Sequence, residues 1–206
     1  RWRGRFLAVD PLHHYVVASE RKRTGSTFET TDSGFPLRTD DLTFRPVYMA
    51  NAPDGSLIIA DFREEYIAHG QNYQGQIDPG SGRIYRIRGK NMPLEKDVNL
   101  AAKSGAQLVA LLVHPNRWHR QTAVRLLGER RDPATLEPLH AALREAAEHP
   151  ALEALWALHQ MGALDEPTAL VALAHPQPAV RAWAIRLPGD AKKLPGDFSI
   201  ALADLA

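Results

Sequence analysis

His114-Pro115-Asn116-Arg117-Trp118-His119-Arg120-Gln121-Thr122-Ala123 returns further along the chain as His175-Pro176-Gln177-Pro178-Ala179-Val180-Arg181-Ala182-Trp183-Ala184. The two phrases agree in class at His, Pro, a large apolar residue, a nearby Arg and Ala. A degenerate copy lies between them, His149-Pro150-Ala151-Leu152-Glu153-Ala154-Leu155-Trp156. Around the copies, apolar residues recur at helical spacing. Ala106, Leu108, Val109, Leu111 and Leu112 follow Ser104 as a cap; Trp118, Thr122 and Leu126 follow Asn116. Asp132-Pro133 opens a stripe of Leu136, Leu139, Leu143 and Ala147, the proline at a first helical position. Leu152, Leu155, Trp156 and His159 are closed by Gly162. Leu170, Val171 and Leu173 follow Pro167, and Val180, Trp183, Ala184 and Leu187 run up to Pro188-Gly189. Helix pairs of this kind bury their apolar faces only by stacking on their neighbours, which predicts a solenoid.

Upstream of Met92 the texture is different. Phe6–Val9, Tyr15–Ala18, Val47–Ala50, Leu57–Ala60 and Arg83–Arg88 read as short strands. Pro53-Asp54-Gly55-Ser56 and Asp78-Pro79-Gly80-Ser81-Gly82 are turns, because Pro fixes φ, Asp bonds nearby backbone and Gly accepts positive φ. Arg21-Lys22-Arg23-Thr24-Gly25 reads as a hairpin tip. At about 40–45 residues per propeller blade, this region is long enough for roughly two blades, which do not close a ring. The expected fold is therefore α+β in two parts. Residues 1–92 are antiparallel blades of a partial β-propeller, 93–103 a linker, and 104–206 HEAT-like helical repeats. The chain starts at Arg1 and ends in Ile200–Ala206 with no stop signal, so a longer polypeptide is expected, Phe198–Ala206 being half of a further pair.

Composition removes several chemistries. The 206 residues carry 25 Lys+Arg against 24 Asp+Glu, a net charge of +1, and neither half is a basic module, so no nucleic-acid partner is expected. With no cysteine there is no disulfide, thiolate metal site or covalent c-type haem within these residues. No apolar run reaches the ~18 residues of a membrane span. Phosphate loops, Gly-x-Ser-x-Gly elbows and His-Glu-x-x-His helices are absent from the sequence.

The densest ionisable cluster is Asp61-Phe62-Arg63-Glu64-Glu65-Tyr66 with His69 and Asp78. Asp61, Glu64 and Asp78 offer hard oxygens for Ca²⁺, and His69 is a candidate base. The plainer alternative is a set of solvated loop charges, with Asp61 making a turn. His13 and His14 are adjacent and point to opposite faces of a strand or turn, so they do not share a metal. His114, His149 and His175 belong to inter-helix turns, and Trp118, Trp156 and Trp183 to the helical core, where each indole N–H needs a partner.

Phe44-Arg45-Pro46-Val47 followed by Ala52-Pro53-Asp54-Gly55-Ser56-Leu57-Ile58-Ile59-Ala60-Asp61 resembles a late blade of the soluble quinoprotein sugar dehydrogenase type of β-propeller. Gly75-Gln76-Ile77-Asp78 with Gly82-Arg83-Ile84-Tyr85-Arg86-Ile87 resembles a bacterial family of membrane-bound dehydrogenase-like, large haem-binding proteins. Leu108–Trp118 is similar to that family's first helical repeat, and Ala154–His159 with Gly162–Asp165 to its second. The resemblance implies a six-bladed propeller, HEAT-like repeats and often a cytochrome c domain. It further implies an extracytoplasmic, periplasmic location and sugar or alcohol oxidation with electron transfer to haem. Related quinoproteins show Arg-x-Arg-Asp before the blade strand. Here the text is Thr43-Phe44-Arg45-Pro46, so only Arg45 carries over as a contact for pyrroloquinoline quinone. The anionic quinone and Ca²⁺ are cofactors of the implied parent, and the chain alone is not expected to turn over substrate. The expected partners are the rest of the same polypeptide or a protein bound on the helical repeats. Two rivals remain: a non-enzymatic propeller and HEAT scaffold for protein or carbohydrate, and a self-contained small α+β domain.

Overall fold

The computed structural model describes residues 2, 4–65, 80–146, 149–190, 192, 197, 198 and 200. The chain forms two compact units, Arg1–Pro93 and Leu94–Ala206. Among the described residues the first holds six strands, β1 (Phe6–Asp10), β2 (Tyr15–Thr24), β3 (Thr27–Arg38), β4 (Pro46–Asn51), β5 (Leu57–Asp61) and β6 (Arg83–Ile87). They pair as two antiparallel three-stranded meanders, β1-β2-β3 and β4-β5-β6. Val9 lies opposite Val16 and Val16 opposite Leu37; Met49 lies opposite Ile59 and Ile59 opposite Tyr85. Because side chains alternate along a strand, these rows put one apolar face of each sheet on a shared core. Val16, Phe44 and Ile59 are its buried centre, with Leu57 and Ile87 packed against them. The opposite face of the second sheet carries the row Tyr48–Ala60–Ile84, in which Tyr48 is 66% and Ile84 78% exposed.

β3 has no counterpart among the strands expected from sequence. β1 spans only five residues and pairs with Tyr15–Ser19 of β2. Beyond that point Glu20–Thr24 and Thr27–Thr31 run as a two-stranded ribbon exposed on both faces, so its sequence shows no apolar alternation. Cross-strand contacts support it instead. Ser19 Oγ donates to Asp32 Oδ1 at 2.8 Å, and the Arg21 guanidinium lies 4.4 Å from the Phe28 ring centre. Gly34 is required where the strand bends: its φ is +139°, and a Cβ there would stand 2.9 Å from the Trp2 ring.

In the second unit the described residues include the helices α1 (Gly105–Ala110), α2 (Arg117–Arg130), α3 (Leu136–Glu145), α4 (His149–Met161), α5 (Glu166–Leu173) and α6 (Pro178–Asp190). The caps expected from sequence operate. Ser104 and Gln107 form a reciprocal capping box and Asn116 Oδ1 accepts from Trp118 N; a cap not expected from sequence is Asp165, whose Oδ1 accepts from Thr168 N. Asp132-Pro133 caps a 3₁₀ turn, Pro133–Thr135, that leads into α3. α6 continues through the expected stop at Pro188-Gly189 to Asp190. Pro188 lies in its last turns, so the missing N–H removes one bond near the end and the helix continues past it. α2 packs on α4, α3 on α4, α4 on α6 and α5 on α6. Leu108, Leu127, Leu139, Leu143, Leu155, Leu158 and Val180 fill the space between. The approach of α2 and α4 is close, since a Cβ on Gly128 would stand 2.6 Å from Gln160 Cβ. No helix among the described residues is long and apolar enough to cross a membrane.

The β4–β5 turn carries an acid-sensitive contact. Asp54 Oδ1 accepts from Ser56 N and Oγ, and Oδ2 accepts from Arg86 Nη2 at 2.8 Å. The Ser56 bonds foremost, with Arg86 behind them, hold the carboxyl at about 2 rather than 3.8. A depressed carboxyl contributes stability above its unfolded pKa, and the contribution fades as pH falls toward the folded one. Asp54→Asn is therefore expected to lower the urea midpoint at neutral pH. The gap to wild type should close between 3.8 and about 2. A gap that stays constant through that window contradicts the assignment.

Candidate functional site

Three of the five residues singled out for chemistry meet at one end of β4 and β5. Arg45 and Asp61 are buried, 6% and 5% exposed; Asp61 lies opposite Pro46 at the start of the β4–β5 ladder, and Arg45 immediately precedes Pro46. Asp61 Oδ1 accepts from Arg45 N at 2.8 Å and from Arg63 N at 2.9 Å. The main chain continues the pairing beyond the strands, Phe62 N donating to Arg45 O and Glu64 N to Thr43 O. Glu64 thus joins the group through its backbone. His69 and Asp78 lie outside the described residues.

The Arg45 guanidinium is taken up by main-chain oxygens. Nε donates to Glu64 O at 2.8 Å, Nη2 to Glu65 O at 2.7 Å, and Nη1 to Pro11 O at 2.9 Å. Nη1 also lies 3.0 Å from His14 Nδ1, which is itself 3.0 Å from Phe44 O. The tautomer of His14 decides which of the two shares a proton with Nδ1. Pro11 and His14 belong to the β1–β2 connection, whereas Glu64 and Glu65 follow β5. One planar fork thereby ties the loops of both sheets together. His14 adopts φ 62°, a left-handed conformation that places its ring beside Arg45.

These contacts bear directly on cofactor chemistry. A quinone carboxylate needs a guanidinium edge turned toward it, and the Nε, Nη1 and Nη2 of Arg45 are each already donating to a carbonyl. As placed, the three carbonyls engage every nitrogen of the head group and leave at most the second N–H groups of Nη1 and Nη2 for an anion, so no step is assigned to Arg45. Asp61 Oδ2 is buried without a hydrogen-bond partner among the described residues, so its carboxylate retains one oxygen facing inward. Among the described residues no three His, Cys, Asp or Glu side chains gather closely enough to hold a metal.

In the helical unit, a cavity of about 280 Å³ opens between α3 and α5, lined by Glu137, His140, Arg144, Asp165 and Thr168 among others. Its acids have internal roles: Glu137 pairs with Arg144 at 2.9 Å, and Asp165 caps α5. The Thr168 side-chain and backbone hydrogen bonds hold the Asp165 carboxyl below its ordinary value. The histidines of the repeated phrase behave as turn residues at two of three positions. His114 Nδ1 accepts from Asn116 N and His175 Nδ1 from Gln177 N, while His149 opens α4. Trp156 and Trp183 meet edge to face, ring centres 5.1 Å apart; Trp156 Nε1 finds no hydrogen-bond acceptor among the described residues. Pro11 and His14 were not legible as partners of Arg45, since nothing local links positions so far apart in sequence.

If Arg45 acts as a clamp, removing it strands at least three partly buried carbonyls at about 1 kcal/mol or more each. Arg45→Ala is expected to destabilise the β unit by about 3 kcal/mol in urea unfolding. A loss under about 0.5 kcal/mol, the range of ordinary surface changes, contradicts the clamp.

Residues 1–91 match the family described as "Domain of unknown function (DUF7133)", and residues 105–187 match the family of HEAT repeats. No curated protein matches the chain. Residues 105–187 of the helical part are thus HEAT-like, and among the described residues two antiparallel three-stranded sheets precede them.

Proposed function

We propose that this chain is a structural and docking part of an extracytoplasmic, dehydrogenase-like, haem-associated protein, and that it does not oxidise substrate by itself. Its sheets serve as two blades of a propeller, and its HEAT-type repeats hold an electron-accepting domain or another protein partner. The observation that carries the non-catalytic half of the reading is the set of donors on Arg45. The one residue that matches the quinoprotein pattern donates to Pro11, Glu64 and Glu65 carbonyls instead of facing a ligand.

Two further features support the rest. The exposed apolar row Tyr48–Ala60–Ile84 is a surface that a further sheet would cover, as stacked blades do. HEAT-type repeats present extended surfaces used for protein contacts. The dehydrogenase class itself rests on the resemblance of Phe44–Asp61 and Gly75–Ile87.

The test is redox-dye reduction by the purified chain with a panel of sugars and alcohols, together with added pyrroloquinoline quinone and Ca²⁺. No reduction and no saturable quinone uptake are expected from these 206 residues, and dye reduction is expected from a full-length polypeptide that carries them. Quinone uptake that Arg45→Lys abolishes would overturn the non-catalytic assignment. Absence of turnover in the full-length polypeptide would overturn the dehydrogenase class.

A further inference from the structure

We infer that the His-Pro turns leading into α2 and α6 are proton-sensitive latches, His175 the stronger of the two, which loosen the helical unit as imidazoles take up protons. The inference is independent of the redox and docking reading proposed above.

Both turns are closed by an imidazole used as an acceptor. His114 Nδ1 accepts from Asn116 N at 3.0 Å, and His175 Nδ1 from Gln177 N at 3.1 Å. Elsewhere in the chain a side-chain oxygen makes the same bond to the amide two residues on. Asp54 bonds Ser56 N, Asp61 bonds Arg63 N, Asn116 bonds Trp118 N and Asp132 bonds Ala134 N. These are Asx turns, and the two histidines copy them with nitrogen. The exchange alters the chemistry. An Asx oxygen accepts throughout the neutral range, whereas an imidazole nitrogen accepts only while it carries no proton. A ring bonded in this way is neutral, with its one proton on Nε2.

A proton on Nδ1 would set one N–H against another. It would also add a second cation to a turn that already holds one. Arg120 Nη1 donates to His114 O at 2.8 Å and Pro115 O at 3.1 Å; Arg181 Nη1 donates to His175 O and Pro176 O, both at 2.9 Å.

The two turns differ in what offsets that charge. Against His114 stand the His119 ring, 4.1 Å between centres, and Arg120, whose Nε is paired with Glu153 of α4 at 3.0 Å. His114 Nδ1 also lies 3.4 Å from Asn116 O, a long contact that a protonated ring can use. His175 is 4% exposed, and among the described residues its Nδ1 meets only the Gln177 amide. Arg181 stands against it with no carboxylate partner among those residues, and none of them bonds a carboxylate to either ring. The opened chain therefore binds more protons than the closed turn. Stability held by these turns rises with pH, most steeply at His175.

The test is urea unfolding of the 206-residue chain, followed by far-ultraviolet circular dichroism between about pH 5 and 8. His175→Asn keeps an acceptor for the Gln177 amide and removes the titrating ring. At about pH 8 its midpoint should equal that of wild type. At about pH 5 its unfolding equilibrium constant should be roughly tenfold below the wild-type value. His149→Asn, at the exposed copy that begins α4, should keep the wild-type pH profile. Identical profiles for wild type and His175→Asn overturn the inference. So does a loss in His175→Asn that is equal at every pH, or a profile flattened as much by His149→Asn. Should His175→Asn fail to fold, imidazole nitrogen resonances of the wild-type chain decide. They should show His175 with its proton on Nε2 at neutral pH, and Gln177 amide protection lost as the ring protonates. A proton on Nδ1 at neutral pH, or a protected Gln177 amide beside a protonated His175, overturns the latch.

Discussion

Arginine forks closing on main-chain carbonyls are the contact on which both units depend. A carbonyl at a strand end or inter-helix turn has no ladder partner, and burying it unpaired costs about 1–3 kcal/mol. A guanidinium satisfies several at once from a rigid, permanently charged plane. Arg45 does this for the loops of two sheets, and Arg120 and Arg181 do it for the His-Pro turns that open α2 and α6. Arg130 adds a fourth case, donating to Ala101 O and Lys103 O ahead of α1. In each case the side chain fixes where the next element begins.

The same chemistry bears on how Arg45 and Asp61 are read. A buried arginine beside a buried aspartate, at the end of a strand and next to a loop, has the outline of a ligand site. The bonds give it another meaning, because Asp61 holds the backbone N–H groups of Arg45 and Arg63 while the Arg45 head group reaches away to carbonyls. The reading proposed above assigns the docking role to surfaces instead, among them the exposed row Tyr48–Ala60–Ile84 of the second sheet.

Much of this was legible in the sequence where the signal is local. Ser104, Asn116 and Asp132 each stand at a helix or turn start, and Pro53–Ser56 at a hairpin turn, because caps and turns depend on residues within a few positions. The repeated His-Pro phrase revealed the helix pairs, yet its middle copy misled: His149 begins a helix, and the position of the clamping arginine is held there by Leu155. β3 escaped notice because a ribbon exposed on both faces needs no apolar alternation. The partners of Arg45 escaped it because Pro11 and His14 reach the guanidinium only after two sheets have stacked.

The most direct measurement is native-state hydrogen exchange on wild type and Arg45→Gln. A clamp predicts faster exchange in both sheets at once, at the amides of Phe62 and Glu64, which bond Arg45 O and Thr43 O, and at Thr39, which bonds His14 O. Unchanged protection at all three would contradict the account and return Arg45 to the class of residues kept for a ligand.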